Sequence, residues 1–253
     1  IYDEFTYNRQ FKHHDRIAMT MQNQQFGDHI RTWNSQAMQL APALRDQYGR
    51  YFDEVVTTSY SGRHQFSWQD KKIIRSGNFA EPGIVNLLSL HLLAGDATAL
   101  QDPTSILVST TTAKAIFGDD DPLGQPMSID NRMQVKVAGI YEDLPYNSSF
   151  NEWTFIAPWE LLSTTENYRD RVGWGNSWFQ VLVLLRSGIG LEEASSAIRN
   201  VKKNNIEAEY AARTQPQIFL HPMPKWRLYG QFKEGINTGG RIQYLRTFAL
   251  IGL

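Results

Sequence analysis

"SILVSTTTAKAIFGDDDPLGQPMSIDNRMQVKVAGIY", Ser105 to Tyr141, is the stretch whose reading decides the fold. "SILVSTTTAKAIFG" predicts a short strand running straight into a helix. Ser109 or Thr110 is placed to cap the helix N-terminus, and Gly118 to supply the left-handed residue past its end. "DDDPLG" (Asp119–Gly124) is a turn. Beyond it, Met127 and Ile129 alternate before Asp130–Asn131, and Met133, Val135 and Val137 alternate after. Period-two alternation on both sides of a short polar pair signals a β-hairpin.

Outward from this middle block, the two ends of the chain repeat one order. "DRIAMTMQ" (Asp15–Gln22) alternates as a strand. "PALRDQYG" (Pro42–Gly49) reads as a short helix with proline in its first turn and glycine past its end. "DEVVTTSY" (Asp53–Tyr60) is β-branched and strand-like. Toward the C-terminus, "WFQVLVLL" (Trp178–Leu185) is an apolar run of strand length. Leu191, Ala194, Ile198 and Val201 then recur at helical spacing, and "QIFLHPM" (Gln217–Met223) is a strand closed by prolines. Two matched β-α-β units flanking a different middle predict an α+β fold of two subdomains. A discontinuous split layer comes from both ends, and a β-rich insertion lies between. The boundaries this gives are 1–12 (stalk), 13–72 and 174–232 (the split layer), 73–173 (the insertion) and 233–253 (a second stalk).

The composition of the 253 residues, 42% hydrophobic and 12% aromatic, suits a packed globular chain rather than a disordered one. A formal net charge of −1 gives no basic face of the kind nucleic acid requires. With no cysteine, disulfides, thiolate metal sites and cysteine nucleophiles are all excluded, while the compartment stays open. "IYDEFTYNRQF" shows no basic start followed by an apolar run. At the other end, "RIQYLRTFALIGL" is too short an apolar run to span a bilayer, which takes about 20 residues. It reads as the opening of a transmembrane helix or as a docking tail.

No catalytic constellation is present. The chain lacks a phosphate-cradling G-x-x-x-x-G-K-[ST] loop, an H-E-x-x-H helix and a G-x-S-x-G elbow. Gly173-Trp-Gly175 and Gly188-Ile-Gly190 lack the third glycine of a dinucleotide loop and read as loop glycines. His13 and His14 are adjacent, and adjacent residues rarely converge on one ion. Asp119–Asp121 lacks the distal glutamate of a calcium loop, and Pro122 makes it a turn. The tryptophans are read chiefly as packing residues. The alternative they support is a free-standing extracytoplasmic module that binds glycan or lipid through exposed tryptophans.

Taken together, Leu92–Phe150 closely resembles the periplasmic core domain of MacB-like, or FtsX-like, ABC transporter permeases. The features carrying the resemblance are Gly95, Leu100 and Pro103 in the approach, Phe117–Gly118 at the helix end, Asp121-Pro122-Leu123-Gly124 in the turn, and Asp143, Pro145, Asn147 and Phe150 in the closing "DLPYNSSF". The start, Asp3–Met21, is similar to the segment leaving the first transmembrane helix in the branch whose permeases carry two such domains. This chain looks like the first of the two.

The resemblance implies a "porter" layer from the chain ends, a "sabre" insertion, and a periplasmic location on an inner-membrane protein. It implies no catalysis, metal or cofactor in this domain, because ATP is bound by a separate cytoplasmic subunit. The implied role is to relay the ATP-driven motion of the transmembrane helices to an extracytoplasmic substrate or partner. The implied partners are the chain's own transmembrane helices, the ATPase through them, a second permease copy and a periplasmic adaptor or substrate protein. For the coupling, Tyr2, Phe5 and Phe11 are expected to line one stripe of an N-terminal helix, and Ile242, Leu245 and Phe248 one stripe of a C-terminal helix, the two lying side by side. A substrate is expected in a cleft between the subdomains. Close relatives divide among efflux, lipoprotein release and cell-wall hydrolase activation, and the sequence does not choose between them.

Overall fold

A computed structural model describes residues 2–251, with side chains described for residues 2–247. Two compact units are present, one formed by residues 1–55 and 173–253, the other by 56–172. The first unit begins with α1 (Tyr2–Thr6), β1 (Ile17–Phe26), β2 (His29–Trp33), α2 (Leu40–Tyr48) and β3 (Phe52–Thr58), whose first residues belong to it. The second contains β4 (Gly62–Trp68), β5 (Lys71–Ala80), α3 (Ile84–Leu87), β6 (Leu92–Gly95), β7 (Ser105–Ser109) and α4 (Thr110–Phe117). Its remaining elements are β8 (Pro126–Ile129), β9 (Met133–Tyr141), β10 (Phe155–Pro158), α5 (Trp159–Thr165) and α6 (Tyr168–Arg171). The chain then returns to the first unit with β11 (Gln180–Leu185), α7 (Leu191–Ile198), α8 (Ala208–Thr214), β12 (Gln217–Pro222), β13 (Gln231–Lys233), β14 (Ile236–Gly239) and α9 (Arg241–Ile251).

In the first unit, β1 is the central strand. It pairs antiparallel with β12 along one edge, and with β11 and then β2 along the other. Ala18, Val181, Val183, Ile218 and Leu220 lie on one face of this sheet, where Leu40 and Leu44 of α2 and Ala194 and Ile198 of α7 close a core. The helical spacing read from Leu191 onward therefore buries its apolar stripe against the sheet, as an amphipathic helix must. The opposite face carries Phe219 and His221, which meet Phe232 of β13 at ring-centroid distances of 5.7 and 5.4 Å.

The second unit is a small closed barrel. Pairings run β5–β4–β8–β9–β7–β10, and β10 pairs back onto β5 in parallel, so the ring leaves no open edge between its first and last strands. Its core gathers Phe66, Phe79, Ile106, Val108, Ile129, Val135, Val137 and Phe155, with Ile116 and Phe117 of α4 packed against them. The decisive stretch folds as its pattern predicts. Ser109 Oγ accepts the Thr112 N–H at 3.3 Å. Gly118 takes φ +67° and donates its N–H to Lys114 O. The β8–β9 hairpin turns through Asp130 and Asn131, both at positive φ (53° and 55°).

Several boundaries differ from the sequence reading. The first division falls at Val55/Val56 rather than at residue 72, because β4 and β5 pair from Gly62↔Gly77 to Trp68↔Lys71 and cannot be separated. The turn between them places Gln69, not glycine, at positive φ, which hid the hairpin. The segment from 233 opens as the second half of the β13–β14 hairpin, turning at Glu234–Gly235, and only α9 from Arg241 is helical. At the N-terminus, α1 ends at Thr6, so Phe11 lies outside it and is buried in the turns that follow. A single helical stripe of Tyr2, Phe5 and Phe11 does not form.

Candidate functional site

The two chain-end segments meet at one guanidinium. Arg227, in the loop after β12, donates from Nε to Glu4 Oε2 at 2.8 Å and from Nη2 to Glu4 Oε1 at 2.7 Å. Glu4 lies on α1, and Arg241 at the first turn of α9 approaches the same Oε1 at 3.8 Å. Arg227 also lies over the Tyr7 ring, 4.9 Å from its centroid. Two parallel charge-assisted bonds fix direction as well as distance, which a single lysine contact would not. The Arg227 hydrogen bond holds the Glu4 carboxyl below its usual range against the opposing effect of burial, and Glu4 in turn raises Arg227.

The loop that presents Arg227 is itself fixed. Trp226 Nε1 donates to His221 O at 2.8 Å, and the Ile242 N–H at the start of α9 donates to Leu228 O at 3.2 Å. Phe5, Tyr7, Arg9, Leu228, Tyr229 and Ile242 surround a cavity of about 230 Å³ beside the pair. Of the expected coupling residues, Phe5 and Ile242 are thus brought to one place. Tyr2 is exposed, Leu245 is half-buried, and the Phe248 side chain lies outside the described residues. Glu4 and Arg227 are 223 positions apart, and no local pattern announces their pairing.

Because the pair is only partly exposed and bidentate, Arg227→Ala is expected to cost about 1–2 kcal/mol of unit stability at pH 7. The Glu4 carboxyl is depressed, so its contribution is present above the ordinary carboxylate pKa and is lost as pH falls through the lowered one. Urea unfolding of both forms at pH 7 and pH 3 checks this. The difference between them should shrink at pH 3.

The family-motif residues lie in the barrel unit, and several make defined contacts there. Asp143 accepts the Thr111 N–H at 3.2 Å and the Thr111 Oγ1–H at 2.6 Å, placing a carboxylate at the N-terminus of α4. Asp121 Oδ1 accepts the Leu123 N–H at 3.0 Å, and the Gly124 N–H donates to Val137 O at 2.8 Å, which closes the "DPLG" turn onto β9. Phe117 stacks edge-on against Trp68 at 4.9 Å, and Phe150 against Trp153 at 4.8 Å. Pro145 is exposed and Asn147 half-buried in the turn between Asp143 and Phe150, and Pro122 is half-buried.

Four of the six histidines are dispersed onto separate acids, His14 with Asp15, His29 with Glu234, His64 with Asp130, and His91 with Glu142, while His13 meets Arg16 at 3.1 Å. Of the tryptophans, Trp68, Trp153 and Trp159 are buried, and Trp178 at 46% exposure is the most open.

The chain thus folds as an antiparallel sheet with helices on one face, drawn from both ends of the sequence, and a closed barrel drawn from the middle of it. The MacB-like periplasmic core domain model matches residues 3–201, and the chain belongs to that family. Among solved structures, it is similar to a domain of a Porphyromonas gingivalis protein assigned as a permease (TM-score 0.69, 23% identity, covering 94% of this chain and 99% of that one). It is also similar to the periplasmic region of MacB from Actinobacillus actinomycetemcomitans (TM-score 0.55, 16% identity, 83% and 90%). A third similar structure is the extracellular domain of the noncanonical ABC-type transporter YknZ from Gram-positive bacteria (TM-score 0.54, 15% identity, 81% and 99%). Among curated proteins, none matches the chain significantly. Among the described residues, no helix is long and apolar enough to cross a membrane.

Proposed function

We propose that this chain is the extracytoplasmic domain of an ABC transporter permease, facing the periplasm, and that it passes ATP-driven motion of transmembrane helices to a substrate or partner protein outside the inner membrane. ATP is bound by a separate cytoplasmic subunit, and the domain itself uses no cofactor and performs no chemistry. The observation that carries this reading is the Glu4–Arg227–Arg241 clasp. It joins both chain-end helices to the loop leaving β12, so a displacement of either helix is delivered to the sheet rather than absorbed by a slack connection. A second permease copy and a periplasmic adaptor complete the assembly in this reading.

The test is an uncoupling experiment in the membrane-embedded permease with its ATPase. Arg227→Ala is expected to leave ATP hydrolysis within about twofold while lowering the ATP-dependent export or release reaction about tenfold, which corresponds to a coupling of about 1.4 kcal/mol. Equal loss of both activities would point to an assembly defect, and retention of both would remove the clasp from the mechanism.

A further inference from the structure

In the first unit, a buried chain of hydrogen bonds ends at a cavity. Lys202 Nζ donates to Gln22 Oε1 at 2.9 Å, Gln22 Nε2 to Gln24 Oε1 at 2.7 Å, and Gln24 Nε2 to Tyr210 Oη at 3.0 Å. The polarity of this chain is forced. An ammonium only donates, so Gln22 turns its oxygen to Lys202 and its amide nitrogen to Gln24, and Gln24 passes the same choice on. Tyr210 Oη therefore accepts from the protein and keeps its own O–H to donate. No described residue accepts that proton. Lys202, Gln22 and Gln24 are buried, and packing alone would be served at lower cost by apolar side chains there.

Tyr210 lines a cavity of about 410 Å³ together with Trp174, Gly175, Asn205, Ile206 and Glu207. That volume is in the range of small-molecule sites. Asn205 Nδ2 donates to Val201 O at 2.7 Å, which leaves its Oδ1 as an acceptor, and the exposed Glu207 carboxylate is a second. Charge narrows the ligand from both sides. Glu207 opposes an anion, while Lys202 at the head of the chain and Arg213, 5.5 Å from the Tyr210 ring centroid, oppose a cation. An uncharged ligand that both donates and accepts, and that has an apolar face for an aromatic wall, satisfies every group. A sugar ring has all three properties.

We infer that this cavity binds a neutral glycan, with a sugar ring against Trp174, one hydroxyl accepting the Tyr210 O–H, and others donating to Asn205 Oδ1 and the Glu207 carboxylate. The inference uses residues of the first unit alone and stands or falls separately from the coupling role.

The probes are maltotriose, cellotriose and triacetylchitotriose, each titrated into this chain by calorimetry at pH 7. Saturable binding of at least one is expected, weakened about tenfold or more by Trp174→Ala. Tyr210→Phe, which removes the donor and keeps the ring, should weaken it about three- to tenfold. Glu207→Gln should weaken it about twofold, and its exposed position keeps the test decisive even if Trp174→Ala, half-buried, fails to fold. Silence of all three glycans overturns the inference, as does binding indifferent to Tyr210→Phe and Glu207→Gln. Tighter binding of glucuronate or glucosamine than of glucose also overturns it, because the site is then one for a charged ligand.

Discussion

Replacing Gly95 by alanine is expected to destabilise the barrel unit by about 3–5 kcal/mol, at the upper end of single-substitution effects. Gly95 ends β6 at φ +89°, where it pairs with Gly139 of β9. A β-carbon there would lie 2.1 Å from Ala138 O and 2.4 Å from Gly139 Cα, both main-chain atoms of the neighbouring strand. Side chains can rotate away from a new methyl group, but these atoms can yield only if β6 leaves β9. Left-handed strain of about 1–2 kcal/mol adds to the clash. Gly118→Ala is the control, because its φ is +67° but nothing lies within 4 Å of the added carbon. It should cost only the strain. Thermal unfolding of the two variants separates the causes. Gly95→Ala should lose about 10 °C or more, and Gly118→Ala a few degrees. Equal and small losses would mean that β6 is not held against β9 as described.

The second large effect concerns Lys202, only 2% exposed. Its ammonium donates to Gln22 Oε1 at 2.9 Å and Ser177 Oγ at 3.1 Å, both neutral, and no ion pair with a carboxylate accompanies it among the described residues. Burial pushes its pKa down from 10.5 to about 8. Below pH 8 the folded and unfolded states are both protonated, and the folded state bears the cost of a buried charge. Between about pH 8 and 10.5 the folded state has released the proton while the unfolded state retains it. Unfolding then takes up protons, and stability rises with pH. The full change is about 3 kcal/mol. Measured against Lys202→Met by urea unfolding from pH 7 to 10.5, the wild type should gain that amount relative to the variant. Titrations common to both proteins cancel in the difference. A flat difference would mean that the ammonium is solvated or paired.

Lys202 also shows where the sequence was legible and where it was not. Ile198 and Val201 were read as part of an apolar stripe, and Lys202 lies four residues beyond Ile198, on that same stripe. A lysine in that register was the available signal of a buried charge. The strand–helix–hairpin order of Ser105–Tyr141 could be read because cap, glycine and alternation all agree there. The β4–β5 hairpin could not, since Gln69 gives no turn signature and the alternation near it is broken by charges. The Glu4–Arg227 clasp was invisible for a different reason. Pairing between residues at opposite ends of the chain is a product of the split topology, and nothing local encodes it. The two terminal segments were read as facing apolar stripes, whereas α1 and α9 meet through the polar Glu4, Arg227 and Arg241, and no stripe contains Arg227.

The account is tested most directly by a distance measurement across this joint. This chain has no cysteine, so Asp28→Cys and Tyr244→Cys, both exposed, place two spin labels on it, one at the tip of β1–β2 and one on α9, in an assembly whose other cysteines are replaced. In the membrane-embedded permease with its ATPase, the interlabel distance distribution should shift when a non-hydrolysable ATP analogue binds. Adding Arg227→Ala should abolish the shift or broaden it. Superimposable distributions with and without nucleotide would contradict the claim that this domain receives motion from the membrane through its terminal helices.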